Sequence, residues 1–318
     1  MIIWAVSDGR AGIENQVLGL ADAIAHHVPA LVVPKRVAWK RAVRWLPPQL
    51  NPATNAWLED PAVIRPPWPD LWIGAGRASL PLALRIKRRS GGVTFVVQLQ
   101  DPRVSPSRFD LVIPPEHDRL SGPQVFPIVG APNRLTPERL HGECARWGEA
   151  LAALPRPRVA VLVGGKSKAF DLPPERARAM AEEVATAVRA AGGSVLFTAS
   201  RRTPEVSRRI LAEALSSLPG IVWDGTGPNP YFAFLGAADH VLVTEDSTNL
   251  ATDAAVTGKP VHVLKMAGAS AKLARFHASL EGHGIARPFR GVLDAWRYEP
   301  LAETERAAQE VLKRMGAA

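Results

Sequence analysis

Five short loops carry residue types and spacings that suit chemistry on a phosphorylated ligand. Ser7-Asp8-Gly9-Arg10-Ala11-Gly12 stands after an apolar run and is followed by Glu14, Asn15 and Gln16. Its glycines let backbone approach a ligand, and the helix start behind them presents free N–H groups to an anion. Asp8 is placed either as a general base or as the N-cap of that helix. Gly74-Ala75-Gly76-Arg77-Ala78-Ser79 repeats the glycine turn, with Arg77 contacting phosphate or acceptor in one reading and packing in the other. Neither turn has the G-x-G-x-x-G spacing of a dinucleotide site. In Gln100-Asp101-Pro102-Arg103 the φ-locked proline would aim Asp101 and Arg103 at a cleft.

The other two loops, with a neighbouring arginine pair, lie further along the chain. Gly164-Gly165-Lys166-Ser167 is only superficially a Walker A loop, because that motif requires glycine where Ala160 stands. A Gly-Gly turn there would feed N–H groups and Lys166 or Ser167 to a diphosphate. Ser200-Arg201-Arg202-Thr203-Pro204 places two guanidinium groups after the next strand, suited to phosphate oxygens or to a solvated helix start. The most specific stretch runs through Thr244-Glu245-Asp246-Ser247-Thr248-Asn249 to Asp253 and Thr257-Gly258-Lys259-Pro260. Its hydroxyls and N–H groups suit phosphate, and Asp253 suits a ribose diol. Asn229-Pro230-Tyr231-Phe232 sets an aromatic segment at a strand end, suited to the edge of a base. The histidines have no ligand spacing and a single cysteine, Cys144, excludes an internal disulfide, so no metal held by protein ligands is expected. No G-x-S-x-G elbow and no RNA-binding signature is present.

These loops need a scaffold that brings strand ends together. The chain has 318 residues, 47% hydrophobic and 22% charged, enough for two cores. Short β-branched runs alternate with amphipathic segments, the pattern of parallel sheets covered by helices. Strands are expected at Ile2–Val6, Leu31–Val33, Leu71–Ile73, Val93–Val97, Leu111–Ile113 and Val125–Val129, then at Val159–Val163, Ser194–Thr198, Ile221–Trp223, His240–Val243 and Val261–Leu264. Helices are expected at Ala11–His26, Ala78–Arg89 and Pro137–Leu154, then at Pro174–Ala191, Pro204–Ser217, Ser247–Thr257 and Ala269–Glu281. The expected fold is α/β, two Rossmann-like domains facing a central cleft. The first spans 1–154 and the second 155–318, with the proline-broken Leu154–Arg158 as linker and the last helix packing back on the first domain. Gln49–Trp68 reads as a surface loop.

A net charge of +9 and a pI of about 10.2 call for an anionic partner. Nucleic acid, an acidic membrane surface and a phosphorylated small molecule all satisfy the charge, and the missing RNA-binding signature argues against the first. No apolar run spans a bilayer and the N-terminus lacks a signal-peptide pattern, so a cytoplasmic protein is expected. Lys35–Leu46 interleaves five cations with Val37, Trp39, Val43, Trp45 and Leu46, and Arg85–Arg89 adds a second basic cluster. Such segments bind anionic bilayer surfaces or form a solvated helix face.

Taken together and in order, these motifs, with Pro115–Asp118 and Arg275-Phe276-His277, resemble the mitochondrial-fission "elongated mitochondria" family. That resemblance covers nearly the whole chain and implies a GT-B glycosyltransferase-like scaffold with a nucleotide-sugar donor held by the C-terminal domain. It implies a metal-independent, inverting transfer to a lipid-linked or envelope glycan, with no cofactor beyond the donor. Donor contacts would come from Gly164, Gly165, Lys166, Ser167, Ser200, Arg201, Arg202, Asn229, Tyr231, Asp246, Ser247, Thr248, Asn249 and Asp253. Asp8 would be the base, with Gly9, Arg10, Gly12, Asn15, Gln16, Arg77, Asp101, Arg103 and His117 on the acceptor side. The family usually has glutamate where this chain has Asp253, a side chain one methylene longer. Plant members are associated with recruiting a dynamin-related protein, which implies the alternative of a non-catalytic adaptor on membrane. A nucleotide-sugar epimerase or hydrolase is the third reading.

Overall fold

The computed structural model describes residues 1–47, 50–51 and 54–317. Two compact units emerge, Met1–Arg134 with Ala302–Ala318, and Leu135–Leu301. The division falls upstream of Leu154–Arg158. That stretch is part of the second unit, where the carbonyls of Pro155 and Pro157 accept from Ser194.

The N-terminal unit is built on strands β1 (Ile2–Ser7), β2 (Leu31–Arg36), β3 (Leu71–Ala75), β4 (Phe95–Leu99) and β5 (Leu111–Ile113), joined in part by helices α1 (Ala11–His27) and α2 (Gly76–Arg89). All pairings are parallel, in the order β2-β1-β3-β4-β5. β3 is buried along its whole length, and β1 and β4 are buried beyond their first residue, as expected of a sheet covered on both faces. α1 buries Val17, Leu20, Ala21 and Ile24, a stripe at helical spacing. The chain's last helix, Glu303–Met315, adds Ala307, Ala308, Val311 and Leu312 to the same core.

Two expectations for this unit are corrected. Val125–Val129 forms only isolated bridges, Val112 with Val125 and Pro115 with Ile128, because Pro127 interrupts a continuous ladder. Within Gln49–Trp68, residues Gln49, Pro52 and Ala53 lie outside the described residues. The remainder is anchored rather than purely superficial, through the fully buried Leu58 and Ile64.

The C-terminal unit opens with α3 (Pro137–Arg146), capped by the Thr136 hydroxyl, and α4 (Gly148–Ala152). These replace the single helix expected over Pro137–Leu154, since the helical path breaks at Trp147. Then follow β6 (Arg158–Val163), β7 (Phe170–Asp171), α5 (Pro174–Ala190), β8 (Ser194–Ala199), α6 (Glu205–Leu215) and β9 (Gly220–Val222). After them come α7 (Tyr231–Ala237), β10 (His240–Thr244), α8 (Thr248–Ala255), β11 (Val261–Leu264), β12 (Ala267–Gly268), α9 (Ala271–Gly282) and β13 (Ala286–Pro288), and the chain ends in α10, the helix Glu303–Met315. The six-stranded sheet is parallel throughout, in the order β13-β11-β10-β6-β8-β9.

In each unit the order reverses once, between β1 and β3 and between β6 and β10. At such a reversal consecutive connections leave to opposite faces, and a crevice opens beyond the strand ends.

Candidate functional site

In the C-terminal unit the reversal brings together the loops after β6, β8 and β10. Their organiser is Asp246, whose side chain has no solvent exposure. Its Oδ2 accepts from the Gly165 N–H at 3.0 Å and from Arg202 Nη2 at 2.8 Å, and its Oδ1 from the Thr244 hydroxyl at 2.7 Å. Thr244 Oγ1 accepts in turn from the Gly164 N–H at 2.7 Å. Ser200 Oγ donates to the Gly164 carbonyl, and the Lys166 N–H donates to the Arg202 carbonyl. Any Cβ on Gly164 would collide with the Asp246 carboxylate, and one on Gly165 with the Arg202 backbone.

This knot corrects several expected roles. The N–H groups of Gly164 and Gly165 are consumed inside the protein, the first by the Thr244 hydroxyl and the second by the buried Asp246 carboxylate, which Gly164 lets approach. Arg202 neutralises that carboxylate instead of standing free for phosphate. Ser167 Oγ accepts from the N–H groups of Ala169 and Phe170, and Lys166 pairs with Asp171. Arg201, by contrast, is exposed and its guanidinium has no hydrogen bond or ion pair among the described residues.

The loop after β10 leads into α8, whose N-cap Ser247 accepts from the Leu250 N–H. The first N–H groups of a helix have no acceptor within it, so α8 presents its N-terminal end at this edge, starting from Thr248. Further along α8, Asp253 Oδ2 accepts from the Tyr231 hydroxyl at 2.8 Å, and the Asn229 side chain accepts from the Tyr231 N–H at the start of α7. Asn229–Phe232 is thus a helix start and not a strand end. Part of Asp253 reaches solvent, yet its carboxyl is packed in, and burial raises it to about 7 against the opposing pull of Tyr231 and Arg139.

Sequence reasoning missed two supports here. The Glu245 carboxylate accepts from Lys265 Nζ at 2.8 Å and from the Met266 N–H at 2.7 Å. The imidazole of His277 on α9, whose pKa burial lowers against the pull of Glu245, donates from Nε2 to the Glu245 carbonyl at 2.9 Å. Only the Arg275-Phe276-His277 motif hinted at the second.

In the N-terminal unit the loops after β1 and β3 lie side by side. Asp8 accepts from the Arg10 N–H and, at 2.8 Å, from Arg10 Nε, so the expected base is ion-paired to its own loop. It lines a cavity of about 270 Å³ with Trp39, Arg44, Glu59 and Arg77. A second cavity, of about 350 Å³, is also bordered by Arg77 and is lined by Gly76, Gln98, Gln100, Asp101 and Arg103. Gln98, buried and unsuspected from sequence, has an Oε1 without a hydrogen-bond partner. Gln100 and Arg103 adopt φ of 68° and 56°, a left-handed conformation costly for such residues, on either side of Asp101-Pro102. Asp101 pairs with Arg103, and Gln100 donates to Gln16 at 2.8 Å. Gly9 sits in the first loop, and Gly12 and Asn15 lie on α1.

Arg77 and His117 are corrected. Arg77 Nη2 donates to the carbonyls of Trp45 and Leu46, securing that turn. The side chain of His117 is only 1% exposed, inside the short turn Glu116–Asp118, so it meets no open crevice. The basic segment is not a helix: β2 runs to Arg36, and Lys40–Leu46 forms turns. Val37, Trp39 and Val43 enter the core, leaving Trp45 71% exposed beside Lys40, Arg41 and Arg44. In the second cluster Arg85, Lys87 and Arg89 are engaged with Asn51, Asp110 and Asn55, so only Arg88 is exposed. No group of three or more metal-ligating side chains lies together among the described residues, and no helix there is long and apolar enough to cross a membrane.

A family model described as "Mitochondrial fission ELM1" matches residues 11–315. A protein of Arabidopsis thaliana, "Mitochondrial fission protein ELM1", is 32% identical over 276 residues, 78% of this chain. The match spans 64% of that relative's length. Among solved structures, UDP-GlcNAc 2-epimerase from Methanocaldococcus jannaschii superposes with a TM-score of 0.62 at 10% identity, over 100% of both chains. The enzyme of that name from Neisseria meningitidis, bound to UDP-GlcNAc, gives 0.55 at 12% identity over the same full coverage. The fold is therefore GT-B-like, two Rossmann-like α/β units.

Proposed function

The chain belongs to the mitochondrial fission ELM1 family, and from that premise we propose that it is a glycosyltransferase whose C-terminal unit binds a nucleotide-diphosphate sugar. What carries the reading is Arg201, a guanidinium without a partner on a loop that Asp246 ties to the start of α8. The diphosphate would rest on the helix start at Ser247 and Thr248, with Arg201 on its non-bridging oxygens. Both features stabilise the charge that develops as the diphosphate departs. Tyr231 and Asp253 act as one pair toward the nucleoside, and Asn229 orients Tyr231. The Neisseria neighbour's UDP-GlcNAc supports a ligand of this class.

For the N-terminal unit the proposal assigns Asp8 as the acceptor of a proton from a hydroxyl bound in the cavity it lines. In an inverting transfer that oxygen bonds to the anomeric carbon while the sugar–phosphate bond breaks, and the diphosphate leaves with the electron pair. The acceptor is assigned as a lipid-linked or envelope glycan and the location as the inner face of the cytoplasmic membrane. Exposed Trp45 among Lys40, Arg41 and Arg44 supports both.

Calorimetric titration with UDP, GDP, ADP and their sugars tests the donor assignment. Arg201→Ala should weaken the bound nucleotide about tenfold or more, and Asp8→Asn should abolish turnover while leaving donor affinity intact. The consumed glycine N–H groups and the exposed Trp45 patch favour one second reading, a non-catalytic membrane adaptor. Absence of all nucleotide binding, with partner capture that survives Arg201→Ala, would select it.

A further inference from the structure

The parallel register gives the C-terminal sheet two poles. The loops described above follow the carboxyl ends of β6, β8 and β10. Arg158 begins β6, Asp239 precedes β10 and Lys259 precedes β11, so these three residues gather at the opposite edge of the same parallel sheet, about 20 Å away along a six-residue strand. They border an open cavity of about 690 Å³, together with Arg156, His141 and Cys144 and apolar surface from α3, α4 and α7.

Its charges are unbalanced. Arg156 bonds to Asp239, whose carboxylate also accepts from the Arg158 N–H. The Arg158 guanidinium itself has no hydrogen bond or ion pair among the described residues, and its Nε is buried. Lys259 Nζ donates to the carbonyls of Leu235 and Gly236 at the end of α7, both at 2.6 Å. An ammonium has three N–H bonds, so one remains. Three cations thus face one carboxylate, an excess of two charges, and a buried guanidinium nitrogen without an acceptor is costly. The Cys144 thiol feels both Lys259 and Arg158, although burial outweighs them and raises it.

We propose that this cavity is a second ligand site that takes the dianionic phosphate of a small phosphate monoester, with Arg158 on two of its oxygens, Lys259 on a third and apolar surface for the ester group. It uses none of the residues assigned to the donor sugar, so it stands or falls separately from that assignment.

Cys144 is the only thiol in the chain and lines the cavity, so its alkylation by neutral iodoacetamide reports occupancy there and not at the far loops. Inorganic phosphate, titrated against chloride at equal ionic strength, should slow alkylation saturably in the full chain. Arg158→Gln should raise the half-protecting concentration about tenfold or more, and Arg158→Lys should raise it less. Retained circular dichroism shows that either variant still folds. Absence of saturable protection in the native chain, or unchanged protection in both variants, overturns the proposal. So does protection by phosphatidic-acid vesicles without protection by inorganic phosphate, which would make the occupant a lipid headgroup.

Discussion

Asp246 and Asp253 lie a few residues apart, yet their surroundings give them opposite chemistry. Asp246 has donors on both oxygens and a guanidinium beside it, so its buried charge is compensated. Replacing it by alanine leaves the buried Gly165 N–H without an acceptor and releases Arg202 to solvent, and should cost about 1–3 kcal/mol in urea unfolding. Asp253 has one hydroxyl donor, and burial raises its carboxyl from 3.8 to about 7. An acid whose folded value is raised lends stability below its unfolded value and loses it as pH rises through the folded one. Unfolding midpoints should therefore fall as pH rises through about 7, and Asp253→Asn should flatten that slope while keeping the bond from Tyr231. The residue types at these sites were legible in sequence. Which carboxylate would gather donors was not, because that depends on groups from strands far apart in the chain.

Most elements follow from local pattern, and their failures have local causes. β1, β3, β6, β10 and β11 are short apolar runs ended by glycine or polar residues, and α1, α5 and α9 carry apolar stripes, so their existence follows from periodicity. Trp147 splits α3 from α4, and α7, with its Gly and aromatic residues, has too few turns for its period to stand out. The glycines after β6 were recognised as functional-looking, but their purpose lies between elements. Gly165→Ala presses a methyl into the backbone after β8, so it should destabilise the C-terminal unit at least as much as ordinary overpacking, about 1–3 kcal/mol. Ser247→Ala, which only uncaps α8, should cost about 1 kcal/mol; thermal melts of the two variants test this ranking.

At the scale of the whole molecule the chain returns to its beginning, since α10 completes the core of the N-terminal unit. Val311 and Leu312 alone contribute about 3–6 kcal/mol by burial. Deleting residues 302–318 should therefore abolish hydrogen-exchange protection in β1, β3 and α1 while Leu135–Leu301 keeps its own. The α/β alternation and the edge of each sheet that carries the loops were readable from the order of apolar runs alone. Parallel strands require crossovers, and crossovers put every strand-following turn on one side. Which polar atoms meet across that edge depends on how the strands assemble: that Asp246 takes the Gly165 N–H and Arg202 while Thr244 takes the Gly164 N–H, that Arg77 holds a turn, and that Arg158 is left without a partner. Periodicity along a chain specifies which face a residue presents, whereas a hydrogen-bond partner is specified by distance in space, and the strands that supply it are tens of residues apart.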